Sequence, residues 1–361
     1  MSVPRLPPLP SIRDILKIYH LNAVKRLSQN FLLDQNICDK IIHKAGNLTD
    51  SHVLEVGPGP GGLTRSIMKR LPERIVLVEK DKRFEPTLDI LADSFAMINR
   101  KVDIIFDDIM RAHIESLFPK EKKMNWNDKP PDLFLIGNLP FNVSTPLIIQ
   151  WLHSIAERRG AWAFGRTKMT LTFQKEVAER LVAPESSEQR CRLSVMAQAW
   201  TFPVLRFVIP GHVFVPQPDV DVGVVSFTPL TKPCTQHDFK FFEKIVRHVF
   251  SFRQKYSIRC VETLFPLHCR KELAMMMYKL SDLDPTIRPT QLTVNDIDRL
   301  ATAYKYLLEK HPELEMYNYR ASRHLLPQFN TQNVVVEDKV SGDIEERNES
   351  SRSTVVVDSH I

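Results

Sequence analysis

Four glycines, two prolines and a carboxylate fall within eight residues of this chain, Glu55-Val-Gly57-Pro-Gly59-Pro-Gly61-Gly62. Glycines at that density let a ligand lie against bare backbone, whose N–H groups point outward where a following helix begins. Pro58 and Pro60 stiffen the turn. The spacing Gly57-x-Gly59-x-x-Gly62 satisfies the dinucleotide fingerprint, and Glu79 follows twenty-two residues after Gly57, where an acid takes ribose hydroxyls. Two features argue against a pyrophosphate. Glu55 stands two residues before the first glycine, where a carboxylate suits a cationic ligand, and the loop holds no Lys or Arg. S-adenosylmethionine, with a cationic sulfonium, an ammonium and a ribose, fits better. The same pattern occurs in strand–turn–helix units without a ligand, so the remaining residues must decide.

The second constellation is Asn138-Leu139-Pro140-Phe141. An exocyclic aromatic amine is a poor nucleophile because its lone pair is delocalised into the ring. If the Asn138 amide oxygen and a neighbouring backbone carbonyl accept its two hydrogens, the nitrogen can pyramidalise as a methyl group arrives, while Phe141 stacks on the base. Pro140 fixes the turn. No strong general base is required, since positioning and electrostatics carry such a reaction. An Asn-x-Pro turn ending a strand is common; the same turn followed by an aromatic, paired with a glycine cradle, is not.

These residues need a scaffold that brings them to one edge. Apolar runs at 53–56, 75–78, 102–106 and 133–136, separated by helix-length segments, predict parallel βαβ units. Ligands in such sheets bind beyond the carboxyl ends of the strands. Glu79, Asp107, Asp108 and Asn138 all stand at those ends. With the proposed ligand, Glu79 would hold the ribose, Asp108 the adenine amino group, and Ile109 would pack on the ring. Further strands are expected at 169–173, 204–209 and 220–227, with a Pro-rich connection whose Phe214 would wall the base pocket. Residues 238–312 read as helices; Phe241, Ile245, Val249 and Phe252 form the expected stripe, and Lys240, Lys244 and Arg247, with Arg253, Lys255 and Arg259 beyond, form a basic outer face for phosphates.

Composition agrees with a soluble nucleic-acid partner. Of 361 residues 43% are hydrophobic and 25% charged, and no apolar run approaches a membrane span. The net charge is +6; residues 331–361 hold seven acids against three bases, or −4, so the remainder carries +10. The five cysteines show no C-x-x-C pair and no metal spacing, so neither a disulfide framework nor a metal site is expected. The first 26 residues carry five basic residues and one acid, a bias compatible with organellar import.

From about Arg5 to Leu314 the chain resembles the KsgA-type ribosomal RNA adenine dimethyltransferases, and within them the mitochondrial branch. The likeness rests on Gln29-Asn30-Phe31-Leu32, Glu55-Val-Gly57-Pro-Gly59, Glu79-Lys80-Asp81, Asp108, Asn138-Leu139-Pro140-Phe141, Gln174-Lys175-Glu176-Val177, Arg192-Leu-Ser-Val-Met-Ala-Gln198 and Phe214-Val-Pro216. It implies an α/β fold, the Rossmann-like class I S-adenosylmethionine-dependent methyltransferase sheet, with a small all-helical C-terminal domain. It implies N6-dimethylation of two adjacent adenosines in the 3′-terminal hairpin loop of mitochondrial small-subunit ribosomal RNA, in the mitochondrial matrix. Carried over by motif, Asn30, Leu32, Gly57, Gly59, Glu79, Lys80, Asp108, Ile109 and Asn138 bind the cofactor, Asn138 to Phe141 perform the transfer, and Phe141 and Phe214 form the base pocket. Phe141 stands where many bacterial members have tyrosine, and the basic stretch after Phe252 departs from their pattern. The expected organisation is an extension at 1–27 that would carry the import signal, a catalytic domain at 28–231, a helical RNA-binding domain at 232–315 and a disordered acidic tail at 316–361. The mitochondrial branch also suggests a rival, a non-catalytic factor that binds mitochondrial DNA and works with the mitochondrial RNA polymerase. A third reading, an NAD oxidoreductase, lacks a hydride-handling acid or base.

Overall fold

Val53, Ile75, Leu77, Phe134 and Ile136 bury against one side of a central sheet, while Leu54, Val76, Val78, Leu133 and Leu135 bury against the other. Strands covered on both faces read as near-continuous apolar runs, which is why they are legible in sequence. The computed structural model describes residues 6–24, 27 and 29–319. It opens with α1 (Ile12–Ile18), β1 (Phe31–Leu32) and α2 (Gln35–Ala45). The strand–helix alternation follows as β2 (His52–Val56), α3 (Gly62–Met68), β3 (Arg74–Glu79), α4 (Glu85–Ala96), β4 (Lys101–Phe106), β5 (Leu133–Gly137) and α5 (Phe141–Ala156). Next come β6 (Lys168–Gln174), α6 (Lys175–Val182), α7 (Arg192–Trp200), β7 (Thr201–Ile209), β8 (Phe214–Val215) and β9 (Val222–Pro229). Four helices complete the described chain: α8 (Phe239–Val249), α9 (Ser257–Val261), α10 (Arg270–Leu280) and α11 (Val294–Lys310).

The main sheet has the order β4-β3-β2-β5-β6-β9-β7. From β4 to β6 all neighbours are parallel, whereas β9 lies antiparallel between β6 and β7. The chain runs outward from β2 to β4 and returns to β5 on the other flank of β2, so a crevice opens beyond the ends of β2 and β5. The register Val56↔Gly137 sets the glycine loop beside Asn138. A separate two-stranded clasp, with Phe31↔Val215 and Leu32↔Phe214, lies across residues far apart in sequence. Apolar residues of α2, α3 and α4 fill one side of the sheet and those of α5, α6 and α7 the other.

The helical segment shares the second of these cores. Phe239 and Phe242 of α8 meet Trp200 of α7 with ring centroids 5.0 and 5.5 Å apart. Arg190, with no exposed surface, donates to the carbonyl oxygens of Leu292 at 3.1 Å and Ala183 at 3.1 Å and to Gln198 Oε1 at 3.0 Å. The guanidinium's fixed fork thus ties α7 to the start of α11. The expected stripe on α8 is corrected in phase. Asp238 caps the helix by accepting from the Phe241 N–H at 2.9 Å, and the buried residues are Phe239, Phe242, Ile245, Val246 and Val249. Phe241 is half-buried, and Phe252 lies past the helix end, 42% exposed. Lys244 is likewise drawn inward, donating to Tyr304 Oη at 3.1 Å, and burial pushes its ammonium down. Lys240, Arg247, Arg253 and Lys255 remain exposed; Arg259 is exposed but paired with Glu262.

At the front of the chain Ser11 caps α1, accepting from the Asp14 N–H. Ile12 and Ile15 are buried, so this part of the 1–27 segment packs into the body; residues 1–5, 25, 26 and 28 lie outside the described residues. At the other end Pro312–Met316 forms a short turn with Leu314 buried. Of the tail expected at 316–361, residues 320–361 also lie outside the described residues. No described helix is long and apolar enough to cross a membrane.

Candidate active site

Every residue expected to serve the reaction lines one cavity of about 190 Å³: Asn30, Leu32, Gly57, Gly59, Glu79, Lys80, Asp108, Ile109, Asn138, Leu139, Pro140, Phe141 and Phe214. The loop after β2 forms its floor. Gly59 takes φ +55°, a left-handed conformation that costs other residues steric strain. A Cβ at Gly62 would lie 2.7 Å from the Leu32 carbonyl oxygen, so only glycine lets β1 cross so close to α3.

Glu79, at the end of β3 and 6% exposed, holds this loop. Its Oε2 accepts from the Gly59 N–H at 3.0 Å, and its Oε1 from the N–H groups of Lys80 and Asp81, both at 2.8 Å. Burial raises its pKa against the pull of those three N–H groups. A carboxylate has about four acceptor sites, so Oε2 keeps capacity for a hydroxyl. Asp108 pairs with Lys80 at 2.8 Å and accepts from the Met110 N–H at 3.0 Å; the Lys80 hydrogen bond holds its carboxyl below the usual range. Ile109 beside it is buried. Gln29 donates to Asp81 at 3.0 Å, and Asp81 accepts from Arg83 at 2.6 Å, which fastens the segment before β1 to the end of β3.

Glu55 is more deeply set than the sequence suggests. It is 1% exposed, and its Oε2 has no hydrogen-bond partner among the described residues. Burial pushes its carboxyl up to about 8; Thr64 opposes the rise and the Glu79 carboxylate adds to it. Leaving a buried acceptor unpaired costs about 1–3 kcal/mol, which a cationic ligand would offset. This orphaned carboxyl and the bare glycine loop fit S-adenosylmethionine.

The other half of the cavity is neutral. Asn138 follows β5; its Nδ2 donates to the Asn30 carbonyl at 3.2 Å, and its Oδ1 accepts from Thr172 Oγ1 at 2.9 Å. Thr172 Oγ1 accepts in turn from the Leu139 N–H at 3.1 Å. The Leu139 side chain is 2% exposed and belongs to the core, so Leu139 can act only through its peptide groups. Pro140 precedes α5, and Phe141 is the first residue of that helix. Phe214, brought in by the clasp, is 3% exposed. Sequence reasoning missed Thr172 and the depth of Glu55. A threonine inside an apolar strand carries no signal until its neighbour is known.

The model for the ribosomal RNA adenine dimethylase family matches residues 20–279. A Drosophila pseudoobscura pseudoobscura protein named "Dimethyladenosine transferase 1, mitochondrial" is 51% identical over 321 residues, 89% of this chain and 93% of that protein. Among solved structures, a dimethyladenosine transferase from Plasmodium falciparum superposes with TM-score 0.57 at 20% identity, covering 76% of this chain and 96% of the other. The 23S rRNA methyltransferase ErmE does so with TM-score 0.53 at 18% identity, covering 76% and 100%. These two likenesses bear on the fold, which is that of the class I methyltransferases. The match spans the glycine loop, Asn138 and the clasp alike, and the chain belongs to the ribosomal RNA adenine dimethylase family, the S-adenosylmethionine-dependent enzymes that dimethylate adenine in ribosomal RNA.

Proposed function

We propose that this enzyme dimethylates N6 of two adjacent adenosines in the 3′-terminal hairpin loop of mitochondrial small-subunit ribosomal RNA, and that it works in the mitochondrial matrix. The observation that carries the reading is the amide of Asn138, held by two hydrogen bonds at the meeting point of a carboxylate-lined and a neutral half-cavity. The relative named as mitochondrial supports the compartment.

S-adenosylmethionine, when bound, supplies a methyl group made electrophilic by its sulfonium. Glu55 and Glu79 would hold its ammonium and ribose, Gly57 and Gly59 its flank, Asp108 and Ile109 its adenine, with Asn30, Leu32 and Lys80 at the rim. On the substrate side a loop adenosine swings out of its stack at little cost, because loops already expose their bases. Phe141 stacks on the extruded base and Phe214 closes the pocket. Asn138 Oδ1 and a backbone carbonyl of the Asn138–Pro140 turn accept the two amine hydrogens, which frees the nitrogen lone pair from the ring. Each round would replace one N–H with N–CH3, the electron pair of the broken S–CH3 bond staying on the sulfur of a departing neutral thioether and one proton passing to water; two rounds exhaust the hydrogens.

The helical segment 232–315 would bind RNA phosphates through exposed Lys240, Arg247, Arg253 and Lys255. Transfer of labelled methyl to a short hairpin with adjacent loop adenosines tests the proposal. Incorporation at both adenosines is expected, and none with a hairpin bearing inosines instead. The rival, a factor acting with a mitochondrial RNA polymerase on mitochondrial DNA, predicts polymerase or DNA binding that survives Asn138→Ala.

A further inference from the structure

We propose that Thr172 is a positioning residue for the transfer, acting with the Asn30 carbonyl to hold the Asn138 amide with its oxygen toward the amine and thereby selecting an amino group over a carbonyl. The inference rests on the role given to Asn138 above. The register Gly137↔Leu171 places Thr172 beside Asn138, and the threonine is fully buried.

The direction of each hydrogen bond follows from what its atoms can do. The Asn30 carbonyl oxygen, 3.2 Å from the amide, only accepts, so the amide must turn its Nδ2 toward it. Its Oδ1 then faces Thr172 Oγ1 at 2.9 Å. That hydroxyl already accepts from the Leu139 N–H at 3.1 Å, so its single hydrogen goes to Oδ1. The hydroxyl and the Asn30 carbonyl thus hold the Asn138 amide from its two ends, and the same hydroxyl holds the Asn138–Leu139 peptide. An amide oxygen has two acceptor sites; Thr172 occupies one, and the second serves the substrate. Such an oxygen accepts from an amino group and repels a carbonyl. Were the amide reversed, it would donate, and the preference would invert toward a base carrying a carbonyl at the same position.

Thr172→Val removes the hydroxyl at nearly constant shape. Its kcat for the adenosine hairpin is expected to fall by up to roughly 100-fold, the cost of holding a reacting pair about 1 Å out of place. Cofactor affinity, measured by calorimetry, and KM for RNA are expected to stay at wild-type values, and Thr172→Ser to restore the rate. A hairpin with inosine at the target position, measured as a competitor, is expected to bind Thr172→Val more tightly than it binds the wild type. If the valine variant melts early, Thr172→Ala makes the same deletion without a second methyl in place of the hydroxyl, and the comparison with serine stands. Wild-type kcat in both hydroxyl-free variants, or a serine variant as slow as valine, would overturn the proposal. If Asn138→Ala, run alongside, also keeps wild-type kcat, the failure lies with Asn138 and not with Thr172.

Discussion

The two halves of the cleft are made of opposite materials. On the β2–β3–β4 side, Glu55, Glu79 and Asp108 gather three carboxyl groups, two of them at most 6% exposed. On the β5 side, Asn138 and Phe141, with Phe214 of the clasp above them and Thr172 behind Asn138, contribute no formal charge. A cation is best held by carboxylates whose protons it displaces, whereas a weakly basic amine must stay neutral to attack. A carboxylate beside the amine would favour its protonated form, and an unbalanced cation would repel the incoming sulfonium. The dividing line runs between the loops after β2 and β5, strands that are neighbours in the sheet.

Substitutions on each side should fail differently, and the size of the failure sharpens the division. Asn138→Ala is expected to lower kcat roughly 100- to 1,000-fold, as loss of one preorganised polar group does, with a much smaller loss of cofactor affinity by calorimetry, since Asn138 is one of several residues that would hold the cofactor. A matching loss of cofactor affinity would erase the distinction between the halves. Glu79→Ala releases the Gly59 N–H along with the ribose acceptor, and Kd for the cofactor should rise roughly 10- to 100-fold, the worth of hydrogen bonds to a charged group. Once the cofactor saturates, its kcat should recover. Phe141→Ala removes a stacking partner worth about 1–3 kcal/mol; KM for the hairpin should rise while Kd for the cofactor holds, and Phe141→Tyr should behave as wild type.

The smallest effect concerns protons. The Glu55 carboxyl is raised from 4.5 to about 8 in the fold, so the free protein binds more protons than the unfolded chain between those values and loses stability as pH rises through them. A bound ammonium favours the carboxylate, so cofactor affinity should rise with pH up to about 8 and then level. Binding near neutrality should release a proton, measurable by calorimetry in buffers of different ionisation enthalpy. Glu55→Gln should remove both signatures, whatever the ligand's own titration contributes.

The cleft was largely legible in the sequence because its parts are backbone-driven. Glycine at 57 and 59, proline at 140 and acids at strand ends are consequences of chain direction, and a linear reading captures chain direction well. What stayed hidden depends on the third dimension. Thr172 looks like any alternating strand residue until β6 is laid against β5. Glu55 was expected to face a cation, but its burial to 1% exposure, and hence its raised pKa, follow from how β2 sits inside the sheet. On α8 the apolar residues permit more than one stripe; the Asp238 cap fixes the phase, buries Phe242 and Val246, and turns Lys244 toward Tyr304. The insertion of β9 between β6 and β7 was equally invisible, since both pairings satisfy the same apolar pattern.

That insertion also bears on how the molecule is made. A ribosome emits β6 and then β7, yet β7 cannot join the sheet until β9 has emerged to lie between them. The clasp waits as well, since Phe31 pairs with Val215 and Leu32 with Phe214. The nascent chain therefore carries a roofless cleft until residue 215, and an open strand edge on β6 until residue 229, has cleared the exit tunnel. Long-range pairings of this kind form late and leave edges open to wrong partners. Translation arrested between β7 and β9 should yield a chain prone to aggregate and unable to retain cofactor, although it already contains Asn138 and the whole glycine loop.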